Sequence, residues 1–314
     1  MSVVVVVPPE LPAVLPAAAW PALRDADAVF AAGDLPEVTR VALDAKPAPS
    51  PEELAGLSRV VLVASSRTDP GAAALLAAGA AVVETPVPPL VEATAVMDRL
   101  RSPGGCPWDA VQTHDSLRQY LVEETYELLD AIEEGDRAAL REELGDVLLQ
   151  VLFHARVAAE HETDPFDVDV VAGELVAKLV GRHPHVFADA DRVATATLQE
   201  ENWERLKQAE KRRESIVDGV ALGQPAVALA GKLGQRSGRA GVPLDLFPAG
   251  EDEGSRLFRI AATARRAGVD PEGELRAVAK RFAADVRAAE RAAREAGIDP
   301  ATLEADGWRR FWPA

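Results

Sequence analysis

The feature of this chain that could do chemistry is a set of four carboxylates placed symmetrically about Gly135. Two precede the glycine by eleven and eight residues, and two follow it by eight and eleven; they are Glu124, Glu127, Glu143 and Asp146. Each pair is spaced by three residues, so its members share one face if the segment is helical. Carboxylates this close cannot all stay ionised without a compensating charge. A divalent cation that prefers oxygen ligands, Mg²⁺ or Mn²⁺, supplies that charge.

The elements that must position this carboxylate quartet are two antiparallel helices. Gly135 is typical of a helix C-terminus and Asp136 of a helix N-cap, so the chain is predicted to reverse between them. The inner two carboxylates then lie level with each other, as do the outer two, in layers ~4.5 Å apart. An apolar stripe runs through the acidic positions of each helix; the stripes are Leu117, Leu121, Leu128 and Ile132, then Leu140, Leu144, Val147, Val151 and Leu152. The quartet is therefore predicted to face a core or cleft, whereas Glu133, Glu134 and Glu142 suit a solvated surface.

Composition narrows the class of protein. The chain has 314 residues, of which 51 are acidic and 34 basic, and its net charge of −17 repels the phosphate backbone of nucleic acids. A single cysteine, Cys106, favours a reducing compartment, so we expect a cytoplasmic protein. The apolar runs are shorter than the ~18 residues of a membrane span, and residues 2–7 are too short for a signal-peptide core. His154 and His161 lack a third nitrogen or thiolate ligand nearby in sequence, so zinc is not predicted.

Cationic and aromatic residues later in the chain could complete a substrate site. Lys178 and Arg182 are four residues apart and point the same way on a helix. They suit either a phosphate clamp or the charges that a helix C-terminus favours. Trp203 and Lys207 repeat the spacing, although a tryptophan at helical spacing more often belongs to a core.

Several segments together resemble the MazG family of nucleoside triphosphate pyrophosphohydrolases, in the actinobacterial type with one intact MazG domain. The resemblance covers residues 95–225 and lies in 106–109, 112–113, 121–127, 142–146, 182–187 and 203–207. It implies that the quartet binds Mg²⁺ and that Glu123, Glu124 and Glu127 carry catalysis, with Glu123 as a candidate water-positioning base. It also implies a homodimer and substrate contacts from Trp108, Lys178, Arg182, Trp203 and Lys207.

We predict a mainly α protein, an antiparallel helical bundle with a small N-terminal α/β domain. Short β-branched runs at 3–7, 60–63 and 81–83 suit buried parallel strands of a domain at 1–90. In some MazG relatives the N-terminal partner is a tetrapyrrole methylase-like domain. Here the first strand runs into Pro8-Pro9 rather than a glycine-rich turn, which predicts a non-catalytic descendant.

The helical part is predicted to hold the catalytic domain at 91–224 and a degenerate second repeat at 225–314. Helices are expected near 91–102, 116–134, 137–162, 167–182 and 195–213. Residues 145–156 align with 254–265, so that Glu143 matches Asp252 but Asp146 matches Ser255. The second copy therefore lacks most of the metal ligands, and we assign it a packing or dimerisation role.

These features lead to an expected reaction, Mg²⁺-dependent hydrolysis of (d)NTPs to (d)NMP and pyrophosphate in nucleotide-pool house-cleaning. A narrower pyrophosphatase for dUTP or a damaged deoxynucleotide stays open, as does a metal-binding scaffold without turnover. A di-iron carboxylate bundle is disfavoured because that class uses Glu-x-x-His pairs, whereas the corresponding positions here are Glu127 and Asp146. Base and sugar preference are not predicted by the sequence.

Overall fold

The computed structural model describes residues 1–12, 14–188, 195, 198, 203 and 214–313. The chain divides into two compact units, Met1–Gly181 and Arg182–Ala314, and each is described by itself. In the described part of the chain no helix is long and apolar enough to cross a membrane.

The N-terminal segment forms a five-stranded parallel sheet with strand order β3-β2-β4-β1-β5. The strands are β1 (Val3–Val6), β2 (Ala28–Ala31), β3 (Lys46–Pro47), β4 (Val60–Ala64) and β5 (Ala81–Glu84). In the centre Val4 pairs with Leu62 of β4 and with Val82 of β5. β1 and β4 are apolar at every position and fully buried, as central strands of a sheet covered on both faces must be.

Short helices cover both faces of this sheet. They are α1 (Trp20–Asp25), α2 (Glu37–Ala42), α3 (Pro51–Ala55) and α4 (Pro70–Ala77). Leu54 of α3 and Leu75 of α4 pack on the face that carries Leu62. The opposite face, which carries Val61, packs against Leu23 of α1 and against the residues that flank α2. The three strands predicted from sequence are confirmed.

The segment Lys46-Pro47 is a strand that the sequence did not predict. These residues form the short edge strand β3, which pairs with Phe30 and Ala31 of β2. Proline lacks a backbone N–H, and an edge strand is the position in a sheet that tolerates this lack. Strand β2 itself was not predicted.

From residue 89 onward the rest of the first unit is helical. It contains α5 (Pro89–Arg101), α6 (Pro107–Ala110), α7 (His114–Glu134), α8 (Arg137–Ala158) and most of α9 (Val168–Arg182). The predicted helices at 91–102, 116–134, 137–162 and 167–182 are thus confirmed with shifted ends. The fifth, at 195–213, lies almost wholly outside the described residues.

Packing of α5, α7 and α8 holds the helical part of this unit together. Met97, Leu117, Leu152 and Phe153 form its buried core. Beside this core, Arg101 donates two hydrogen bonds to the carboxylate of Glu160, at 2.9 and 2.8 Å. Arg156 adds bonds to Asp98 at 2.6 Å and to Glu160 at 2.8 Å. These hydrogen bonds connect the C-terminal end of α5 to the C-terminal end of α8.

The apolar stripes of α7 and α8 are less buried in the single chain than the sequence predicted. Leu117 and Leu152 are buried, whereas Leu121, Ile132 and Leu144 are 37%, 55% and 53% exposed. The reason is that each helix buries one side against the other and against α5, which leaves the remaining apolar residues at the surface.

The second unit contains α10 (Pro184–Phe187), α11 (Ala226–Arg239), α12 (Glu253–Arg266), α13 (Pro271–Glu295) and α14 (Ala305–Phe311). Helices α11 and α12 approach closely where Gly234 faces Ala262, because a Cβ on the glycine would lie 2.5 Å from the Ala262 backbone. Ala261, Ala262, Ala289 and Ala293 are buried, so this unit is a small-residue helical packing.

Candidate active site

The α7–α8 hairpin is built by the local signals that the sequence shows. Helix α7 begins after Thr113, whose hydroxyl accepts from the backbone of Ser116 in a capping box. It ends at Gly135 in the left-handed conformation, with φ of 69°. Asp136 then caps α8 by accepting from Ala138 N at 2.8 Å and Ala139 N at 3.2 Å. The two helices therefore reverse direction within a two-residue turn.

This hairpin brings the predicted carboxylates together. Glu124, Glu127 and Glu143 each offer an oxygen atom, and these atoms all lie within 4.8 Å of one another. Glu124 and Glu143 are half-buried while Glu127 is exposed, so the group is open to solvent on one side. Asp146 is half-buried nearby on α8 and acts electrostatically on both Glu124 and Glu143. The sequence prediction of one compact acidic patch is confirmed for the three glutamates.

Burial and mutual repulsion raise the pKa of two members of the quartet. For Glu124 the causes of the raised pKa are burial first, then the charges of Asp146 and Glu127. For Glu143 they are burial first, then the charges of Glu127 and Asp146. Each group thus resists ionisation because burial disfavours its charged form and the neighbouring carboxylates add repulsion. A cation placed among these oxygens would remove that cost.

The donor set fits a hard divalent cation. It consists of carboxylate oxygens on two rigid helices, without thiolate or imidazole among the three grouped residues. Oxygen-only sites of this kind suit Mg²⁺ or Mn²⁺ rather than zinc or copper. An exposed acidic group is common without a metal, but here three carboxylates converge from two helices and the pKa values of Glu124 and Glu143 are raised.

Glu123 precedes Glu124 on α7 but is not one of the three grouped carboxylates. It is exposed, and among the causes that raise the pKa of Glu124 its charge is the smallest. One residue on a helix rotates the side chain by about 100°. Its predicted role as the water-positioning base therefore stays a prediction.

Trp108 lies on α6, just before α7, and is 48% exposed. Its ring packs edge-on against Tyr120 and Phe153, with centroids 5.8 and 6.2 Å away. Gln112 is buried and donates to the Trp108 carbonyl at 3.0 Å, while it accepts from Ser116 at 2.6 Å. These contacts tie the loop before α7 to the hairpin.

Two of the predicted cationic residues, Lys178 and Arg182, lie one turn apart on α9. Lys178 lies exposed on α9 in the first unit. Arg182 begins the second unit; it is 6% exposed, and its guanidinium carbon lies 4.9 Å from the centre of the Trp203 ring. The Trp203 ring also contacts His183 at 5.2 Å between centroids. Arg182 and Trp203 thus form one stacked cluster, whereas Lys207 lies outside the described residues.

The sequence analysis missed a histidine pair on the same hairpin. His114 and His154 stack with ring centroids 5.1 Å apart, and their Nδ1 atoms share a hydrogen bond of 2.8 Å. The signal was available, because the antiparallel register that pairs Glu124 with Asp146 also brings position 114 close to position 154.

In the second unit, Asp252 is the residue that aligns with Glu143, and it has a structural role. Asp252 is the N-cap of α12 and accepts from Ser255 N at 2.8 Å and from Ser255 Oγ at 2.7 Å. These hydrogen bonds lower the pKa of Asp252. Its carboxylate closes a helix end instead of facing a second acidic helix.

Two segments of the chain match known protein families, and one of them contains the α7–α8 hairpin. Residues 112–187 match the family model for the MazG nucleotide pyrophosphohydrolase domain, and residues 2–83 match that for the MazG N-terminal domain. Over 276 residues the chain is 42% identical to a nucleoside triphosphate pyrophosphohydrolase of Mycobacterium tuberculosis (strain ATCC 25618 / H37Rv), covering 82% of this chain and 80% of the relative. The chain belongs to the MazG family of nucleotide pyrophosphohydrolases, which are hydrolases.

Two further relatives extend the comparison. A nucleoside triphosphate pyrophosphohydrolase/pyrophosphatase MazG of Thermotoga maritima is 33% identical over 244 residues, covering 70% of this chain and 93% of the relative. An uncharacterised 26.1 kDa protein of Streptomyces cacaoi is 53% identical over 202 residues, covering 64% of this chain and 82% of the relative.

Proposed function

We propose that this protein hydrolyses nucleoside triphosphates, ribo or deoxy, to the monophosphate and pyrophosphate in a Mg²⁺-dependent reaction, with Mn²⁺ as a possible substitute. The observation that carries the proposal is the convergence of three carboxylates within 4.8 Å on the α7–α8 hairpin. Membership of the MazG family and the printed names of its relatives support the same reaction class.

The quartet is the proposed metal site. Glu124, Glu127 and Glu143 would hold the cation, with Asp146 completing the set. Bound there, a divalent cation would neutralise charge on the phosphates and lower the pKa of a water molecule. The hairpin contributes rigidity, because the carboxylates sit on two packed helices rather than on loops. Glu123 is the proposed base that orients the attacking water.

Cationic side chains are proposed to hold the departing pyrophosphate. Lys178, Arg182 and Lys207 would supply this charge, and Trp203 and Trp108 would contact the rest of the substrate. A guanidinium held against an aromatic ring, as in Arg182 and Trp203, has a fixed orientation that suits bidentate phosphate binding.

The assembly is proposed to be a cytoplasmic homodimer in which the helices form a larger antiparallel bundle. The exposed apolar residues of α7 and α8, such as Ile132 and Leu144, support a partner chain on this side. Within the chain we propose a catalytic domain at 91–224 between a non-catalytic domain at 1–90 and a degenerate repeat at 225–314. The use of Asp252 as a helix cap supports the loss of a second site.

Release of pyrophosphate from a panel of substrates tests the proposal. The panel contains the eight common (d)NTPs, dUTP and oxidised deoxynucleotides, each assayed with Mg²⁺ and with a chelator. We expect metal-dependent release from several of them, in keeping with nucleotide-pool house-cleaning. Release from dUTP or one damaged nucleotide alone would favour the narrow pyrophosphatase, and release from none would leave a metal-binding scaffold and refute the proposal.

A further inference from the structure

Helix α13 of the second unit carries an apolar face whose middle part is open to solvent. Leu275, Val278 and Phe282 recur at intervals of three and four residues, so their side chains lie on one face of the helix. They are 52%, 48% and 61% exposed, and together they form the α13 stripe. The stripe is ~10.5 Å long, or about two helical turns.

The same face of α13 is covered by the unit itself at both ends of the stripe. Ala289 and Ala293, which follow Phe282 by seven and eleven residues, are fully buried. Toward the N-terminus Pro271 is buried, and its Cγ would lie 3.0 Å from a Cβ added to Gly231 of α11. The α13 stripe is therefore a gap in an otherwise packed face, which differs from single apolar residues scattered over a surface.

An aromatic group extends the stripe. The Phe282 ring contacts the Trp312 ring, with centroids 5.7 Å apart, and Trp312 contacts Trp308 edge-on at 6.5 Å. Trp312 is itself exposed. Aromatic rings at the surface beside aliphatic side chains are typical of the central part of a protein interface. This surface therefore suits a protein partner that has a matching apolar face.

Two exposed charges at the edge of the stripe indicate which partner fits. Glu274 and Arg281 are seven residues apart, so they lie on the same side of α13, within about 20° of each other. Neither side chain has an ion-pair or hydrogen-bond partner within the described part of the chain. A two-fold axis at Val278 would carry Glu274 to the level of residue 282 in a second copy, ~1.5 Å along the helix from Arg281 of that copy. The surface is thus complementary to itself.

We propose that the α13 stripe binds the α13 stripe of a second copy of this chain, with the two helices antiparallel about a two-fold axis near Val278. Burial of Leu275, Val278 and Phe282 supplies the affinity. Two pairs between Glu274 and Arg281, one on each side of the axis, fix the direction of the helices. Because the contact lies wholly in the second unit, it goes beyond the homodimer contact proposed for α7 and α8.

Site-specific cross-linking of the full-length chain tests the proposal. The single cysteine is removed by Cys106→Ser, and a new one is placed beside the stripe by Ala279→Cys or on the opposite side of α13 by Ala284→Cys; both alanines are exposed. Each protein is treated with a short bis-maleimide at micromolar concentration. We expect covalent dimers from Ala279→Cys, because residue 279 lies next to its own copy across the axis, and none from Ala284→Cys.

Changes to the stripe are then made in the Ala279→Cys protein. Phe282→Glu should abolish cross-linking, because it places a charge in the apolar contact. Arg281→Glu should lower the yield of covalent dimer about two- to tenfold, since both ion pairs become repulsive. Adding Glu274→Arg to Arg281→Glu should restore the yield. The matched control is Arg287→Glu, at an exposed position on the other side of α13, which should change nothing.

Thermal melts by circular dichroism establish that each variant is folded. If Phe282→Glu does not fold, the charge reversal and its rescue carry the test. Equal cross-linking at residues 279 and 284 would overturn the inference, as would a charge swap that fails to restore the yield. Cross-linking at neither position would also overturn it and would leave the stripe to a different protein. Pyrophosphate release is no part of these measurements, so failure of this inference and failure of the proposed function are distinguishable.

Discussion

Neutralising one member of the carboxylate quartet should make the metal-free protein more stable and the enzyme inactive. Glu127→Gln is the informative change, because glutamine keeps the size of the side chain and removes its charge. Glu127 lies within 4.8 Å of both other grouped carboxylates and contributes to the raised pKa of each. Without metal, its charge destabilises the folded hairpin.

The size of the gain follows from the distance. At the 4.8 Å upper limit of the separation, two unit charges repel by about 0.9 kcal/mol in the dielectric constant of water, which applies because the Glu124–Glu127 pair reaches solvent. Salt at physiological strength reduces this further. We therefore expect a gain of about 0.5–1 kcal/mol in the free energy of unfolding without metal, or a melting temperature higher by about 1–4 °C.

The pH dependence has a definite sign. A carboxyl group whose folded pKa is raised binds more protons in the folded than in the unfolded state, so stability falls as pH rises from its ordinary value of 4.5 through the raised folded value. The metal-free wild type should lose stability across that window, and Glu127→Gln should lose less.

Thermal melts with and without Mg²⁺, together with pyrophosphate release, measure both effects. Glu134→Gln, at the exposed end of the same helix, is the matched control and should change neither. With Mg²⁺ present, Glu127→Gln should lose at least about 100-fold in kcat, as when a group that stabilises transition-state charge is removed. A metal-free melting temperature at or below that of the wild type, or undiminished Mg²⁺-dependent turnover, would refute the reasoning.

Three other perturbations test the surrounding structure. Hydrogen bonds from Arg101 lower the pKa of Glu160 below 4.5, so the stabilisation that they give is complete above pH 4.5 and is lost as pH falls through the lowered folded pKa. The free energy of unfolding of Arg101→Gln, measured by denaturation, should therefore differ less between neutral and acid pH than that of the wild type. Leu117 is 1% exposed, so Leu117→Ala should lower the free energy of unfolding in urea by about 2–5 kcal/mol. A smaller loss would mean that this core is not as tightly packed as described. Asp252→Ala should cost about 1 kcal/mol through the lost N-cap and leave pyrophosphate release unchanged, whereas a loss of turnover would show that the second unit contributes to catalysis.

The hairpin was predictable because its signals are local. Gly135 and Asp136 mark a helix end and a helix start through their own backbone preferences, and the three-residue spacing places each acidic pair on one face. With the turn known, the pairing of Glu127 with Glu143 follows from counting. Boundaries were less accurate, since α7 begins at His114, two residues earlier than predicted, because Thr113 rather than a later residue caps it.

The parts that sequence did not predict depend on distant contacts. Strand β3 exists because Lys46 and Pro47 pair with β2, which no local signal of these residues indicates. The exposure of Leu144 depends on which side of α8 packs against α5 and α7, and an amphipathic pattern does not specify that side. The partner of His114 is forty residues away and is visible once the register of the hairpin is used.

The most direct test of the central claim is the position at which the triphosphate is cleaved. The wild-type protein is incubated with Mg²⁺ and a nucleoside triphosphate in ¹⁸O-labelled water, and the products are resolved by mass spectrometry. A metal site that holds the phosphate nearest the nucleoside, with pyrophosphate leaving as one group, predicts monophosphate carrying the label, unlabelled pyrophosphate and no nucleoside diphosphate at any time. Stepwise release of orthophosphate through a nucleoside diphosphate would contradict the account, even if the carboxylates bind the metal as described.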